Sequence, residues 1–409
     1  MTPKVFLSIF PPLLSMFFLM NGVGLFGTFT PIRLEMEGVT SWNIGLITSA
    51  YYCGMALGAF KNANFILRVG HIRAYAAFAS LLAVVMLSQG LFYSLWYWVI
   101  LRIIAGYCLS GLYIVVESWM LGQSSIKTRG KFLALYMIAL YGASASGQFL
   151  LNSFDINSLV PFAIASILAT LSVLPLAVTK VGNPTIEEPS ALTLIQLYKL
   201  SPTGIVSSTS SGFLVGSVLG LLPIYIQATL YDISGTALIM FLVIAGGAVL
   251  QYPIGRLSDM IDRRKILILL CLLLVVISLF IIMMPGYYLP RLYILMFVFG
   301  GASFAVYPVS ISHTCDVLDH NDIVSATQGL MLAYGTGAIF GPLAASFLMK
   351  FLGFTGLFVY FIALSSSLAS YLIYRVITQK PTSTNDHQNF VFLPGTTPIA
   401  SELDPRSDE

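Results

Sequence analysis

Charge is what this chain has least of. Only 9% of its 409 residues are Asp, Glu, Lys or Arg, against about 25% in a soluble domain. So little charge cannot cover a water-facing surface, so lipid must solvate most of the exterior. The formal net charge of +3 is too small for a nucleic-acid footprint, and no basic run is interleaved with aromatics. Cysteine is scarce: Cys53, Cys108, Cys271 and Cys315 lie far apart in apolar runs. Without a CxxC or Cys/His spacing, neither a disulfide framework nor a metal site is expected. Histidine is limited to His71, His313, His320 and His387. They form no ligand motif or nucleophile–base set, so a membrane enzyme is disfavoured and no cofactor is expected.

What remains is apolar: 57% of the residues. A bilayer core needs about 20 such residues per crossing helix. That template predicts about twelve spans: near 6–34, 42–66, 73–94, 96–122, 131–152 and 159–179, then 202–230, 236–258, 265–284, 291–315, 322–350 and 354–376. The first run, from Val5 to Pro31, exceeds the h-region of a signal peptide and reads as a retained span. Lys and Arg assort sharply between the loops. Sixteen fall on one side, among them Lys61, Arg68, Arg73, Lys127, Lys131, Lys180, Arg256, Lys265 and Lys380. Arg33, Arg291 and Lys350 fall on the other, which puts both termini in the cytoplasm. Trp42, Trp96, Tyr97, Trp98, Tyr287 and Tyr288 sit at predicted span ends, where amphipathic rings prefer the headgroup layer.

These spans divide the chain into an N-terminal six-helix bundle over 1–180, a cytoplasmic linker over 181–201, a C-terminal six-helix bundle over 202–377 and a tail over 378–409. The tail is rich in Pro, Ser, Thr, Asn and Asp and is expected to be disordered. The two bundles repeat. Arg102 to Gly106 and Tyr113 align with Met296 to Gly300 and Tyr307 at an offset of 194; Tyr141-Gly142 aligns with Tyr334-Gly335 at 193; Pro31-Ile32 aligns with Pro223-Ile224 at 192. Small residues recur in any packed membrane helix, but not at a common offset. Parallel six-span repeats place a solute site between the halves.

One loop carries a specific motif. Gly255-Arg-Leu-Ser-Asp259-Met-Ile-Asp262-Arg263-Arg264-Lys265 resembles the signature loop of the major facilitator superfamily, G-x-L-[SA]-D-R-x-[GD]-R-[RK]. Gly255 permits close approach of a neighbour, and Asp259 can pair with arginines or cap a helix. The first half holds a degraded copy, Arg68-Val-Gly70-His71-Ile72-Arg73, with Leu67 where the family has its Asp. Arg102 and Gly106 resemble a second family motif, R-x-x-x-G. The stretch Gly111 to Trp119 is similar to the bacterial YcaD-like branch. The resemblance covers nearly the whole chain to about 377 and implies two pseudo-symmetric all-α bundles that rock about a central site, with charged loops as gates. It implies proton coupling as one option and uniport as another.

Arg102, Gly106, Tyr113 and Glu117 share one face of span 4. A charge inside a bilayer is costly and faces a cavity or a partner. Arg102 is therefore the first candidate for holding a solute, with bracing of a neighbouring helix as the structural alternative. Glu117 lies about 22 Å further along the axis, at the cytoplasmic end, where Arg68, Arg73 or Lys131 could meet it. Asp316 would match it with Arg263 or Arg264. Asn21, Tyr113, Tyr141, Gln148, Tyr307 and Gln328 are the further candidate binding residues. One cation among many uncharged donors favours a small polar or anionic organic solute. The expected protein is a monomeric secondary transporter of the inner membrane, with the bilayer and the solute as its partners and protons as the optional coupling ion. A multidrug or metabolite efflux pump and a transporter-shaped sensor or accessory subunit are the alternatives.

Overall fold

The computed structural model describes residues 3–124, 128–179, 194–230, 232–283, 289–318, 323–378 and 389–408. Lys127, Lys180, Tyr287, Tyr288, His320, Lys380, His387 and most of the 181–201 linker lie outside them. The first half contains α1 (Pro3–Met36), α2 (Ser41–Val69), α3 (His71–Gln89), α4 (Leu95–Gln123), α5 (Arg129–Gly147), α6 (Val160–Leu171) and α7 (Val173–Ala177). A short α8 (Leu194–Leu200) leads into α9 (Pro202–Leu230), α10 (Ile233–Met260), α11 (Arg263–Met283), α12 (Leu289–Cys315), α13 (Ile323–Leu352) and α14 (Gly356–Thr378). Eleven stretches among the described residues are long and apolar enough to cross a bilayer, α6 and α7 together forming one of them. The twelfth expected span, α2, has the length, but Thr48, Ser49, Tyr51 and Tyr52 lower its hydropathy. Prolines sit inside α1, α9, α10, α12 and α13, which membrane helices tolerate where neighbours satisfy the freed carbonyls.

The halves repeat in packing as well as in sequence. Within the first, α1 packs on α5, α2 on α4 and α3 on α6; within the second, α9 packs on α13, α10 on α12 and α11 on α14. The glycines show the same relation atom by atom. Gly106 abuts the Tyr51 carbonyl and Gly300 the Val243 carbonyl; Gly54 abuts the Ile103 carbonyl and Gly246 the Phe297 carbonyl. Each member of the second set stands 192 or 194 residues after its counterpart. No side chain fits at these crossings, so backbones touch, as small-residue packing in lipid demands.

The ends of the molecule differ. At the Lys/Arg-poor end the halves meet directly: Gly45 lies on Ser346 and Pro342, Gly220 lies on Thr48, and Phe149 meets Phe241 with centroids 4.8 Å apart. At the Lys/Arg-rich end the tail comes between them. The 3-10 turn Pro398–Leu403 packs on α4 and α5 of one half and α13 of the other. This corrects the expectation of a disordered tail for residues 389–408. The reason is local. Phe390-Val-Phe-Leu393 and Ile399, Ala400 and Leu403 form an apolar patch that polar neighbours hide in a composition average, and Leu393, Ile399, Ala400 and Leu403 are buried. Trp98 is another correction. Trp42 and Trp96 are exposed, but Trp98 is buried against Phe162 and donates to the Phe92 carbonyl at 3.1 Å.

Candidate functional site

A cavity of about 410 Å³ lies between the halves. Arg102, Tyr113, Tyr141 and Gln148 line it from the first half, Tyr307 and Tyr334 from the second, and Phe392 to Thr396 of the tail form its floor. Five of the seven sequence-predicted binding residues therefore meet there. Helical period put Arg102 and Tyr113 on one face of α4; the packing of α5 against α1, which run in the same direction, aims Gln148 at the same space.

Arg102 is the charged residue among those lining the cavity and is 92% shielded from solvent. Its guanidinium carbon stands 4.9 Å from the Phe26 ring centre and 5.8 Å from that of Tyr51, within cation–π range. Its Nε has no hydrogen-bond partner, and no carboxylate pairs with it among the described residues. The Gln148 amide nitrogen donates to the Gly24 carbonyl at 2.9 Å and the Ser144 carbonyl at 3.1 Å, while its Oε1 is unbonded. Tyr113 points its hydroxyl at the Met20 sulfur, 3.4 Å away. Tyr307 and Tyr334 pack ring to ring at 4.7 Å. The site offers one cation, one amide oxygen and phenol hydroxyls within aromatic walls.

Two predicted binding residues are elsewhere. Asn21 turns toward α5, its Oδ1 accepting from Ser146 at 3.0 Å and its Nδ2 donating to the Phe17 carbonyl at 2.9 Å; it ties helices rather than facing the cavity. Gln328 is buried near the start of α13, away from the lining. Sequence gives the period of a helix but not the rotation of each helix about its axis.

The predicted gating residues fall into three groups. Arg68 and Arg73 are exposed, and Gly70 turns the chain between α2 and α3 with φ of 88°, a region that suits glycine. Neither arginine, nor Lys131, meets Glu117. That carboxylate is fully buried and accepts from Tyr136 at 2.7 Å and from the hydroxyls of Thr396 and Thr397. The signature loop forms a network inside the second half. Arg263 donates from Nε to Asp316 Oδ2 at 2.6 Å and from Nη2 to Oδ1 at 3.2 Å. Asp259 stands at ion-pair distance from the same guanidinium, 3.2 Å, without hydrogen-bond alignment. Arg264 pairs with Asp262 at 2.7 Å. Gly255 makes room for the Phe390 ring of the tail, not for a neighbouring helix. The signal sequence reasoning missed was the apolar stretch 390–403.

The comparisons agree with this architecture. The profile of the Major Facilitator Superfamily matches residues 12–327 and 204–401. An uncharacterized MFS-type transporter of Enterobacter sp. (strain 638) is 30% identical over 334 residues, covering 80% of this chain and 85% of that protein. The uncharacterized MFS-type transporter YcaD of Escherichia coli O7:K1 is 30% identical over 333 residues, with the same coverage of 80% and 85%. Among solved structures, nucleoside transporter NupG superposes with a TM-score of 0.76 at 13% identity, over 91% of this chain and all of that one. A bacterial homolog of the human lysosomal transporter Spinster, in an inward-facing and occupied conformation, gives 0.75 at 12% identity over 95% and 99%. At such identity the likeness is one of fold. With two repeated bundles, a signature loop and a family profile spanning both halves, this multi-pass membrane protein belongs to the major facilitator superfamily of transporters.

Proposed function

We propose that the chain is a secondary transporter that carries a small polar or anionic organic solute across the inner membrane by rocking its two halves about the central cavity. The observation that carries this reading is Arg102: a shielded cation, unpaired by any carboxylate among the described residues, facing a cavity between two bundles. A buried charge without a partner is expensive, so its retention fits a ligand that supplies the missing anion or acceptor. The Lys/Arg-rich end would face the cytoplasm, and the described state, closed at the opposite end, would be the inward one.

The aromatic walls extend the reading. Tyr51, Tyr141, Tyr307 and Phe304 surround the cavity, which suits a solute with an apolar body beside its polar head. An efflux pump for amphipathic metabolites would use the same lining. Transport into right-side-out against inside-out vesicles separates the two directions.

The test begins with a thermal-shift screen of the purified protein against organic acids, sugars, amino acids and siderophores. Counterflow of the labelled hit in proteoliposomes then separates a transporter from a sensor, which binds without exchange. Arg102→Ala should abolish the shift; an unchanged shift rejects Arg102 as the anchor.

A further inference from the structure

The tail touches both halves at the Lys/Arg-rich mouth. On the first half, Phe392 stacks on Tyr141 with centroids 5.6 Å apart and planes 26° from parallel. Thr396 and Thr397 both donate to Glu117, and Pro405 faces Gly130. On the second half, Gly395 lies against the Tyr334 ring, Phe390 fills the space over Gly255, and Arg406 donates to Ser312 at 3.3 Å. Arg406 is also paired with Asp404 at 2.7 Å, so the segment enters the mouth with its buried charges matched, which burial requires.

We propose that residues 390–406 are an intramolecular plug: bound, they stop the transport cycle, and a solute reaches or leaves the cavity through this mouth only after they withdraw. The proposal rests on the reading of the cavity as the solute's path. Its geometry has two consequences. Phe392 to Thr396 stand directly on the cavity floor, where a solute would pass. The segment also fills the gap that the halves must close to open the opposite end, so it blocks the exit and the rocking motion together.

Glu117 is the anchor that makes the plug reversible. A carboxylate strengthens the hydrogen bonds it accepts, and two threonine hydroxyls converge on this one beside the Tyr136 hydroxyl. Against that gain stands the entropy of ordering about seventeen residues of chain. Removing the two threonine donors leaves a buried carboxylate short of partners and so moves that balance toward withdrawal.

The test uses the full-length chain in detergent with Cys53, Cys108, Cys271 and Cys315 replaced by alanine. A Tyr334→Cys reporter beside Gly395 is labelled with a hydrophilic maleimide. With the native tail, labelling should be slow; adding Thr396→Val and Thr397→Val should speed it about a hundredfold or more, the factor expected from losing two hydrogen bonds to a charged group. In a second variant, Gly130→Cys with Pro405→Cys should be joined by a short bis-maleimide, read as a linked peptide by mass spectrometry. Equal labelling rates with and without the threonine hydroxyls, or absence of the linked peptide, overturns the plug. Neither readout uses a solute, so a failure here is distinct from a failure of the transport reading.

Discussion

Arg263 at the start of α11 holds Asp316, just past the end of α12, in a two-pronged grip of 2.6 and 3.2 Å, and both side chains are shielded from solvent. The contact belts three helices of one half together, because Asp259 of α10 stands beside the same guanidinium. It does not bridge the halves. The signature loop thus stiffens the second bundle, while the contact across the mouth is left to the tail.

Removing one member of that pair leaves the other buried and uncompensated, which costs about 3–5 kcal/mol. Asp316→Ala should fall at the lower end, since Asp259 remains near Arg263. The double substitution Arg263→Met with Asp316→Leu should recover much of the loss, because well-packed apolar replacements of buried pairs are often neutral. Thermal unfolding in detergent measures both. A double variant less stable than Asp316→Ala would contradict the account.

Arg102 makes the opposite prediction. If its charge is held for a ligand, the empty protein bears the cost. Arg102→Met should raise the unfolding temperature of the ligand-free protein while removing its response to solute. The removed penalty is about 2.5–3.5 kcal/mol on insertion scales. A residue that braced neighbouring helices through hydrogen bonds would lower stability when replaced. The direction of the change decides between the two roles.

Gly106 and Gly335 test the crossings. A Cβ at Gly106 would meet the Tyr51 carbonyl, whereas at Gly335 it meets nothing within 4 Å. Gly106→Val should separate α2 from α4 and lower stability by about 1–3 kcal/mol. Gly335→Ala should leave the unfolding temperature unchanged or raise it, since alanine orders a helix better. Similar losses at both sites would show that close packing is not what the glycines serve.

Asp262 gives a pH dependence with a definite sign. It precedes α11 and accepts from the backbone N–H of Arg264 at 2.9 Å and from its guanidinium at 2.7 Å. Partial burial works to raise its pKa, but these hydrogen bonds and the arginine charge outweigh it and hold the carboxyl below its ordinary value. A depressed folded pKa means the stabilisation is complete above the unfolded value, about 3.9, and is lost as pH falls through the folded one. The contribution is about 0.3–1 kcal/mol, the size of a carboxylate's interaction with a helix N-terminus and a neighbouring arginine, since asparagine keeps the cap itself. Unfolding temperatures of the native chain and Asp262→Asn should therefore differ at pH 6 and converge as pH approaches 3. A constant gap across that range would refute the assignment.

By itself the sequence determined the class, the repeat and the family, because each is written locally. Apolar length sets the spans, common offsets expose the duplication, and the Gly255 to Lys265 loop is contiguous. It also placed Arg102 and Tyr113 on one face, since helical period is a local property. What only the tertiary structure decided is how each helix is rotated and what reaches it from far along the chain. Rotation carried Asn21 and Gln328 away from the cavity that Gln148 and Tyr307 face. Distance hid two of the partners of Glu117, the threonines that lie 279 and 280 residues onward. Composition could not show that a tail polar on average keeps one apolar stretch that fits the space between two bundles.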